Sequence, residues 1–198
     1  MIFSVLGANG VGKSRLIREL IKKREDLYPF SISNCAQAKP SKRLSWLNDN
    51  VEERIVDLLN KWGYCYSRSF YENGRHHFLE EGFISKLLAR CPIDLEGASK
   101  FEKLVFKHFD DIQKIESEYV DFYIFLDIRI ENWHKQIVER GDMLTAEDTM
   151  GYRFLCQQRI LRTFIDQYFP HCLSLKSSSD EELTQLKTWA DLCIFGAV

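Results

Sequence analysis

The clearest chemical signal in the chain is the segment from Gly7 to Ser14, which reads G-A-N-G-V-G-K-S. It matches the pattern G-x-x-x-x-G-K-[S/T], in which glycines let the backbone curl and turn its N–H groups toward phosphate oxygens. The ammonium of Lys13 is expected to reach the β- and γ-phosphates, and the hydroxyl of Ser14 to ligate Mg²⁺. The segment therefore predicts binding of a nucleoside triphosphate with magnesium.

The elements on either side of this loop support the same prediction. Residues 2–6 have the apolar pattern of a buried strand, and residues 13–24 carry apolar side chains at helical spacing. A strand, a glycine loop and a helix in this order put the loop N–H groups at a helix N-terminus, where the helix dipole favours an anion. The predicted triphosphate-binding residues are Gly7, Ala8, Asn9, Gly10, Val11, Gly12, Lys13, Ser14 and Arg15.

Carboxylates that follow two later strands are candidates for holding the metal or for accepting a proton. Glu80 and Glu81 follow one apolar run, and Asp127 follows another. The carboxyl ends of parallel strands meet at the ligand-binding edge of an open α/β sheet, so each of these groups could reach a bound phosphate. The alternatives are structural, since Glu80 and Glu81 could complement a helix dipole and Asp127 could cap the next helix.

Alternating strand and helix patterns predict an α/β protein with a parallel sheet, in a single domain over residues 1–198. The predicted strands are 2–6, 28–33, 76–79, 119–127 and 171–175. The predicted helices are 13–24, a segment from 46 or 48 to 62, 83–90, 98–117, 130–140, 147–168 and one that begins after a cap at 177–180. The segment 34–45 is predicted to be a loop, and Gly97 is expected to separate two of the helices.

Composition narrows the classes of function. The 198 residues carry a net charge of −2 and are 45 % hydrophobic, so a full core is available and no global charge favours nucleic acid. The six cysteines show no C-x-x-C spacing and no histidine at zinc-finger spacing, which predicts reduced thiols without zinc. No targeting segment or membrane span is recognisable, so no membrane partner and a cytoplasmic location are expected.

Three features together resemble the P-loop kinases of small molecules, the group that contains thymidylate kinase, other nucleoside-monophosphate kinases and deoxynucleoside kinases. The first feature is the phosphate loop itself. The second is F-L-E-E-G at 78–82, which is similar to the D-E-G or D-R-Y after the third strand of that group. The third is F-L-D-I-R-I-E-N-W-H-K-Q-I-V-E-R-G at 125–141, a strand, an acidic residue, a helix and a terminal Arg-Gly.

The resemblance implies a three-layer α/β/α fold whose five-stranded parallel sheet has the order 2-3-1-4-5, with a helical lid at about 140–153. It implies that Lys13 and Ser14 contact the phosphates and the metal. It also implies that Glu80 ligates the metal or serves as general base, and that Arg140 is the lid arginine that closes over the phosphates.

The resemblance leaves the completion of the lid and the identity of the acceptor open. Asp142 stands where many such lids carry a second arginine, which the next helix could supply from Arg153, Arg159 or Arg162. The stretch 175–179 looks like the loop that borders the donor base. Candidates for binding an anionic acceptor are Asn34, Lys39, Lys42, Arg43 and Arg68, and aromatic residues that could stack on a base are Trp46, Tyr64 and Tyr66.

The function predicted from these features is ATP- and Mg²⁺-dependent phosphoryl transfer to a small acceptor, with a nucleotide or nucleoside as the leading candidate. A regulatory GTP switch is disfavoured, because the D-x-x-G match at 94–97 follows a proline and the N-K-W-G at 60–63 lacks the guanine-reading aspartate. A nucleic-acid 5′-end kinase or a partner-coupled NTPase is a further alternative, and the near-neutral charge argues against the nucleic-acid path, which normally needs a basic groove. The choice of ATP or GTP, and a homodimer as the oligomeric state, stay open.

Overall fold

The structure is a computed structural model that describes residues 1–22, 27–30, 76–80, 82–139, 141, 151–170, 172–176 and 179–195, with 27–30 as backbone only. The strands are β1 Ile2–Leu6, β2 Leu27–Phe30, β3 His76–Leu79, β4 Phe122–Leu126 and β5 Leu173–Leu175. The described helices are α1 Lys13–Ile21, α2 Phe83–Leu88, α3 Leu95–Lys107, α4 Phe109–Ser117, α5 Ile130–Glu139, α6 Tyr152–Tyr168 and α7 Asp180–Phe195.

Several sequence predictions lie outside the described residues. They are the loop at 34–45, the helix that ends at 62, the acidic residues Glu81 and Asp142, the lid residue Arg140, and all the acceptor candidates between 34 and 68.

All four pairings between the strands are parallel, and the strand order is β2-β3-β1-β4-β5. The predicted α/β class with a parallel sheet is therefore confirmed. Ile2 of β1 is in register with His77 of β3, and Leu6 of β1 with Phe125 of β4. This register brings the residues that follow β1, β3 and β4 to one edge of the sheet, where ligands bind in open α/β folds.

Each face of the sheet is covered by its own set of helices, because successive side chains on a strand point to opposite faces. Ile2 and Leu6 of β1 pack in a core formed mainly with α2, α3, α4 and α6. Phe3 and Val5 pack on the other face, in a core formed mainly with α1, α5 and α7. Phe3 and Phe78 stack there with ring centroids 4.6 Å apart. The described elements thus form three layers.

The prediction of one helix over 98–117 was wrong, because the structure has two helices there and starts the first one earlier. The carboxylate of Asp94 caps α3 by accepting a hydrogen bond from the Gly97 N–H at 2.7 Å, which puts Gly97 in the first turn of the helix. The backbone leaves the helical region at His108 (φ −108°, ψ 15°). The bend lets Phe101 of α3 and Phe109 of α4 enter the same core.

The predicted strand 119–127 is shorter in the structure, where β4 begins at Phe122. Tyr119 lies in the turn before it and is fully buried, and its hydroxyl accepts a hydrogen bond from the Phe83 N–H at 3.0 Å. The first helix ends at Ile21 rather than at residue 24, with Lys22 as its C-cap. The predicted start of the last helix is confirmed, since the Ser179 hydroxyl accepts a hydrogen bond from the Glu182 N–H at 3.3 Å.

Candidate active site

The glycine loop adopts the shape that its sequence predicts. Gly10 and Gly12 have φ angles of +85° and +96°, a left-handed conformation that residues with a side chain rarely adopt. Gly12 is the N-cap of α1 and offers no side chain to the first N–H groups of the helix. Those N–H groups lack partners within the helix and lie at the positive end of its dipole, so the loop is suited to bind an anion.

Lys13 crosses the loop from its position in the first turn of α1. Its side chain is buried, and Nζ donates hydrogen bonds to the carbonyl oxygens of Gly7 at 3.0 Å and Ala8 at 3.1 Å. These bonds hold the ammonium inside the curve of the loop, where a positive charge would meet the phosphates of a bound triphosphate.

Ser14 and Glu80 meet across the cleft, although 66 residues separate them in the chain. The Ser14 hydroxyl donates a hydrogen bond to Oε1 of Glu80, which directly follows β3. Two oxygen ligands beside a phosphate loop form a donor set that suits Mg²⁺, a hard cation commonly held by one or two protein oxygens, substrate phosphates and water. Within the described ranges, no cluster of three or more His, Cys, Asp or Glu side chains could hold a metal.

These residues line one cleft of about 360 Å³. Its lining is formed on one side by the loop and on the other by the end of β3 and by α2, and comprises Asn9, Gly10, Gly12, Lys13, Ser14, Glu80, Ser85 and Ala89. Ser85 is buried, and its hydroxyl has no hydrogen-bond partner among the described residues. A buried hydroxyl without a hydrogen-bond partner destabilises the fold, so a ligand that enters the cleft could gain affinity by forming a hydrogen bond with Ser85.

The structure holds the backbone of Asn9 in place through two side chains that sequence reasoning missed. The Asn9 N–H donates a hydrogen bond to Oε1 of Gln157 at 3.0 Å, and the Asn9 carbonyl accepts one from Nε1 of Trp133 at 2.8 Å. A side chain on Gly10 would lie 2.6 Å from Cδ1 of Ile137. Side chains of α5 and α6 thus hold the loop at Asn9 and pack against Gly10. These contacts join residues far apart in the chain, so no short-range motif predicts them.

A second group of buried polar residues, also missed by sequence reasoning, supports the start of α2. Glu116 of α4 is fully buried and its Oε1 accepts a hydrogen bond from the Ile84 N–H at 2.8 Å. The Tyr123 hydroxyl donates to Oε2 of Glu116 at 3.1 Å. Burial raises the pKa of the Glu116 carboxyl, and the hydrogen bonds from Ile84, Tyr119 and Tyr123 offset part of that rise.

Asp127, the second acidic candidate, follows β4 but has its own cationic partners. Its carboxylate oxygens accept hydrogen bonds from Nη2 of Arg162 and Nζ of Lys176, both at 2.5 Å. Burial would raise the pKa of Asp127, but the bonds and charges of Lys176 and Arg162 outweigh it, so the pKa of Asp127 is lowered. The structure therefore pairs Asp127 with side chains of α6 and of the residue after β5, and pairs Glu80 with Ser14.

The three candidates for a second lid arginine all lie on α6 and all have protein partners. Arg159 forms a two-pronged ion pair with Glu102 of α3, and Arg162 pairs with Asp127. Arg153 donates from Nη2 to the carbonyl oxygen of Ala89 at 2.5 Å, while its Nε is buried without a described partner. Because Ala89 lines the cleft, Arg153 is the candidate that the structure brings to its border.

No family model and no curated protein matches this chain. Among solved structures it is similar to deoxyadenosine kinase from M. mycoides. With bound dCTP, that kinase has 11 % sequence identity and a TM-score of 0.55, with 100 % of both chains covered. With the products dCMP and a flexible dCDP, the values are 13 % and 0.56 at the same coverage. With bound dATP they are 12 % and 0.54, covering 94 % of this chain and 96 % of the other.

The TM-scores above 0.5 over nearly the whole chain establish a similarity of fold, although the sequence identities are low. None of the described helices combines the length and apolar character that a bilayer crossing requires. This chain therefore has the same overall fold as these kinase structures, and in its own sheet the phosphate loop follows the central strand β1 while Glu80 follows the neighbouring strand β3.

Proposed function

We propose that the chain is an ATP- and Mg²⁺-dependent kinase that transfers the γ-phosphate to a hydroxyl or phosphate of a small acceptor, with a nucleoside or nucleotide as the favoured class. The proposal rests on the hydrogen bond between Ser14 and Glu80 in the cleft beside the phosphate loop. Ser14 directly follows Lys13 in the chain, so the two oxygen ligands and the ammonium lie in the same cleft. Phosphoryl transfer depends on positioning and on positive charge around the transferred group, and this cleft supplies both.

On the donor side, the N–H groups of the loop and of Arg15 would bind the β-phosphate, and Lys13 would reach the γ-phosphate. Ser14 and Glu80 would hold Mg²⁺, which when bound neutralises charge on the β- and γ-phosphate oxygens. The side chains of Ser14 and Arg15 are exposed, in contrast to the buried Lys13, so a ligand entering the cleft meets the first turn of α1 directly.

On the acceptor side, the hydroxyl of the acceptor would attack the γ-phosphorus while the bond to the β–γ bridging oxygen breaks, with ADP leaving. We assign the acceptor proton to Glu80, whose second carboxylate oxygen is not the one that faces Ser14. The unpaired hydroxyl of Ser85 would bind the reacting end of the acceptor. The neighbouring kinase structures contain deoxynucleotides and are named for deoxyadenosine, which supports a nucleoside acceptor for this chain.

The proposal also covers the bounds of the kinase domain and the lid that closes over its active site. We assign one kinase domain to residues 1–198 and a lid to about 140–153, with Arg140 over the phosphates. This assignment rests on the resemblance of the Arg-Gly at the end of α5 to the lid arginine of P-loop kinases, because Arg140 and 142–150 lie outside the described residues. Closure matters because an open site would hydrolyse ATP instead of transferring its phosphate.

The test is the release of ADP from Mg-ATP or Mg-GTP, measured against a panel of deoxynucleosides, nucleosides, nucleoside monophosphates, oligonucleotides and other small hydroxyl compounds. Stimulation by a nucleoside or nucleotide, with the phosphorylated product identified by mass spectrometry, would support the proposal. Release that is independent of every acceptor would point to a switch or motor-like NTPase. Stimulation by oligonucleotides alone would replace the small acceptor with a nucleic-acid 5′ end.

A further inference from the structure

Gln157 on α6 joins the two walls of the cleft through a single buried side chain. It is 1 % exposed. Its Oε1 accepts a hydrogen bond from the Asn9 N–H at 3.0 Å, and its Nε2 donates one to the carbonyl oxygen of Leu88 at 2.8 Å. Asn9 belongs to the phosphate loop, and Leu88 is the last residue of α2. The two partners are far apart in sequence and come from opposite sides of the same cleft.

The chemistry of these partners requires an amide at this position. A backbone N–H needs an acceptor and a backbone carbonyl needs a donor, and a glutamine amide offers one of each in one rigid plane. The reversed orientation of the amide would set its NH₂ group against the Asn9 N–H and its oxygen against the Leu88 carbonyl, so only one orientation satisfies both ends. A buried amide bonded in this way fixes the separation between its partners, because breaking either bond leaves a buried polar group unpaired.

The wall that Gln157 holds is the one that carries the acceptor-side groups. Glu80 lies three residues before α2, Ser85 lies in its first turn, and Ala89 is its C-cap. The N-terminus of α2 is fixed from below by Glu116, through the bond from the Ile84 N–H. Gln157 therefore completes the fixation of α2 at its other end and ties it to the loop.

The loop is also held firmly, through hydrogen bonds to the backbone of Asn9. The peptide groups on both sides of Asn9 are occupied, the N–H by Gln157 and the carbonyl by Nε1 of Trp133. Trp133 also stacks on Phe154 of α6 with ring centroids 4.7 Å apart, so α5 and α6 hold this part of the loop together. A displacement of Gln157 would therefore move both the loop and α2, because both are hydrogen-bonded to it.

We propose that Gln157 is a positioning residue for phosphoryl transfer, which sets the distance between the donor phosphates on the loop and the acceptor-side wall formed by Glu80 and α2. The inference rests on the proposed kinase function. Reacting groups must lie close together and be aligned, and a misplacement of about 1 Å can cost on the order of 100-fold in rate. Gln157 contributes by holding its two backbone partners and has no contact with the reacting atoms.

Two substitutions separate the two bonds. Gln157→Glu keeps an acceptor for the Asn9 N–H and replaces the donor to Leu88 with an oxygen, whereas Gln157→Met removes both bonds at similar volume. We expect Gln157→Glu to lower kcat for phosphoryl transfer about tenfold or more while the KM for Mg-ATP changes less than about threefold. We expect Gln157→Met to lower kcat and also to raise the KM for Mg-ATP, because the loop loses its anchor.

The matched controls are Gln158→Glu and Gln158→Met on the next residue of the same helix. Gln158 is also buried, and its Nε2 donates to the carbonyl oxygens of Leu126 and Ile128. These controls are expected to lower the Tm as much as the Gln157 variants do, with the ratio of phosphoryl transfer to acceptor-independent ATP hydrolysis unchanged. If the Gln157 variants lose no more of that ratio than their Gln158 counterparts, Gln157 has only a structural role and the inference is overturned.

A second readout separates this inference from the proposed function. Amide hydrogen exchange should be faster in α2 for both Gln157 variants, and faster at Asn9 for Gln157→Met alone, whatever reaction the protein catalyses. If the wild-type protein transfers phosphate to no acceptor, the kinase proposal fails and with it the catalytic role of Gln157. If transfer occurs and the exchange of Asn9 and α2 is the same in all variants, the kinase proposal stands and the positioning role of Gln157 is refuted.

Discussion

The two walls of the cleft are built in different ways. The wall that we assign to the phosphate donor, called the donor wall, is the loop from Gly7 to Ser14. It takes its shape from backbone conformation at Gly10 and Gly12 and from the N-terminus of the helix that follows it. The wall that we assign to the acceptor, called the acceptor wall, is the end of β3 with α2, and it takes its position from buried polar side chains on distant helices. Glu116 of α4 holds the start of α2, and Gln157 of α6 holds its end.

The difference explains why one wall of the cleft can be predicted from the sequence while the other cannot. The donor wall is a local structure, so its residues are neighbours in the chain and form a recognisable spacing. The acceptor wall depends on contacts across 32 residues for Glu116 and Ile84 and 69 residues for Gln157 and Leu88. We therefore expect side-chain substitutions in the donor wall, outside its glycines, to affect catalysis with little change in stability, and substitutions beneath the acceptor wall to affect both.

The largest effect is expected for Lys13→Ala, which tests the donor wall directly. Loss of one preorganised positive group should cost at least about 3 kcal/mol of transition-state stabilisation, or about 200-fold in kcat/KM. The measurement is steady-state phosphoryl transfer with the best acceptor of the panel. Lys22→Ala is the control, because Lys22 lies exposed at the end of the same helix. Full transfer by Lys13→Ala would remove the basis of the proposed function.

The next effect concerns the residue at which the two walls meet. Glu80→Gln removes the negative charge that faces Ser14 and is expected to lower kcat by about 100-fold and to raise the Mg²⁺ concentration needed for half-maximal rate. Magnesium titrations of the wild type and the variant give both quantities. Glu96→Gln, an exposed glutamate paired with Lys100, should leave them unchanged. An unaltered magnesium requirement in Glu80→Gln would shift the metal role toward another carboxylate.

An effect on stability rather than on rate separates backbone strain from crowding in the donor wall. Gly10→Ala places a methyl group 2.6 Å from Ile137 and 2.9 Å from Trp133 at a φ of +85°, and is expected to cost about 2–4 kcal/mol of unfolding free energy. Gly141 has a similar φ of +71° with no described atom within 4 Å of the added methyl, so Gly141→Ala should cost only about 1 kcal/mol. Denaturant unfolding measures both, and equal costs would show that α5 does not crowd the loop.

The smallest effect is a change in pH dependence beneath the acceptor wall. The pKa of Glu116 is raised by burial above its ordinary value of 4.5. Its favourable contribution to folding is therefore complete at low pH and is lost as the pH rises through the folded-state pKa. In Glu116→Gln the amide cannot ionise, so the free energy of unfolding should fall less with rising pH than it does in the wild type.

Denaturant titrations of the Glu116→Gln variant between about pH 4 and pH 9 measure this slope. Glu118→Gln, two residues further along and exposed, is the control for a surface carboxylate. A slope that is the same in the wild type and in Glu116→Gln would mean that the pKa of Glu116 is the same in the folded and unfolded states. In that case the hydrogen bonds from Ile84 and Tyr123 would fully offset its burial.

The sequence predicted the parts of this molecule that depend on short-range patterns. The phosphate loop, β1, the start of α1, the α/β class and the cap at Ser179 all rest on residues within one or two turns of each other. Glu80, Glu81 and Asp127 were all candidates from local pattern, and the resemblance to P-loop kinases favoured Glu80. The structure pairs Glu80 with Ser14, and Asp127 with Arg162 and Lys176.

The supports of the acceptor wall could not be predicted, because their sequence context suggests solvent exposure. Glu116 stands in the run I-E-S-E, where it resembles any charged residue on the outer face of a helix. Gln157 and Gln158 are adjacent glutamines followed by Arg159, and glutamine is a residue type that is mostly exposed. Burial of these side chains follows from the bend at His108 and from the packing of α6 against α3, which are properties of the assembled fold. The misplaced start of α3 has a different, local origin, since Gly97 signals a break only if the cap three residues earlier at Asp94 is overlooked.

The hydrogen bond from Trp133 to the Asn9 carbonyl gives the protein a built-in optical reporter. The fluorescence emission of an indole depends on the electric field and hydrogen bonding around its ring. The ring nitrogen of Trp133 is hydrogen-bonded to the loop that would receive the donor phosphates. Trp189 packs instead against Phe3 and Phe122 beneath the sheet. The difference in fluorescence between the wild type and Trp133→Phe therefore reports on the loop, and the entry of the proposed nucleotide could be timed from it in stopped flow without any label.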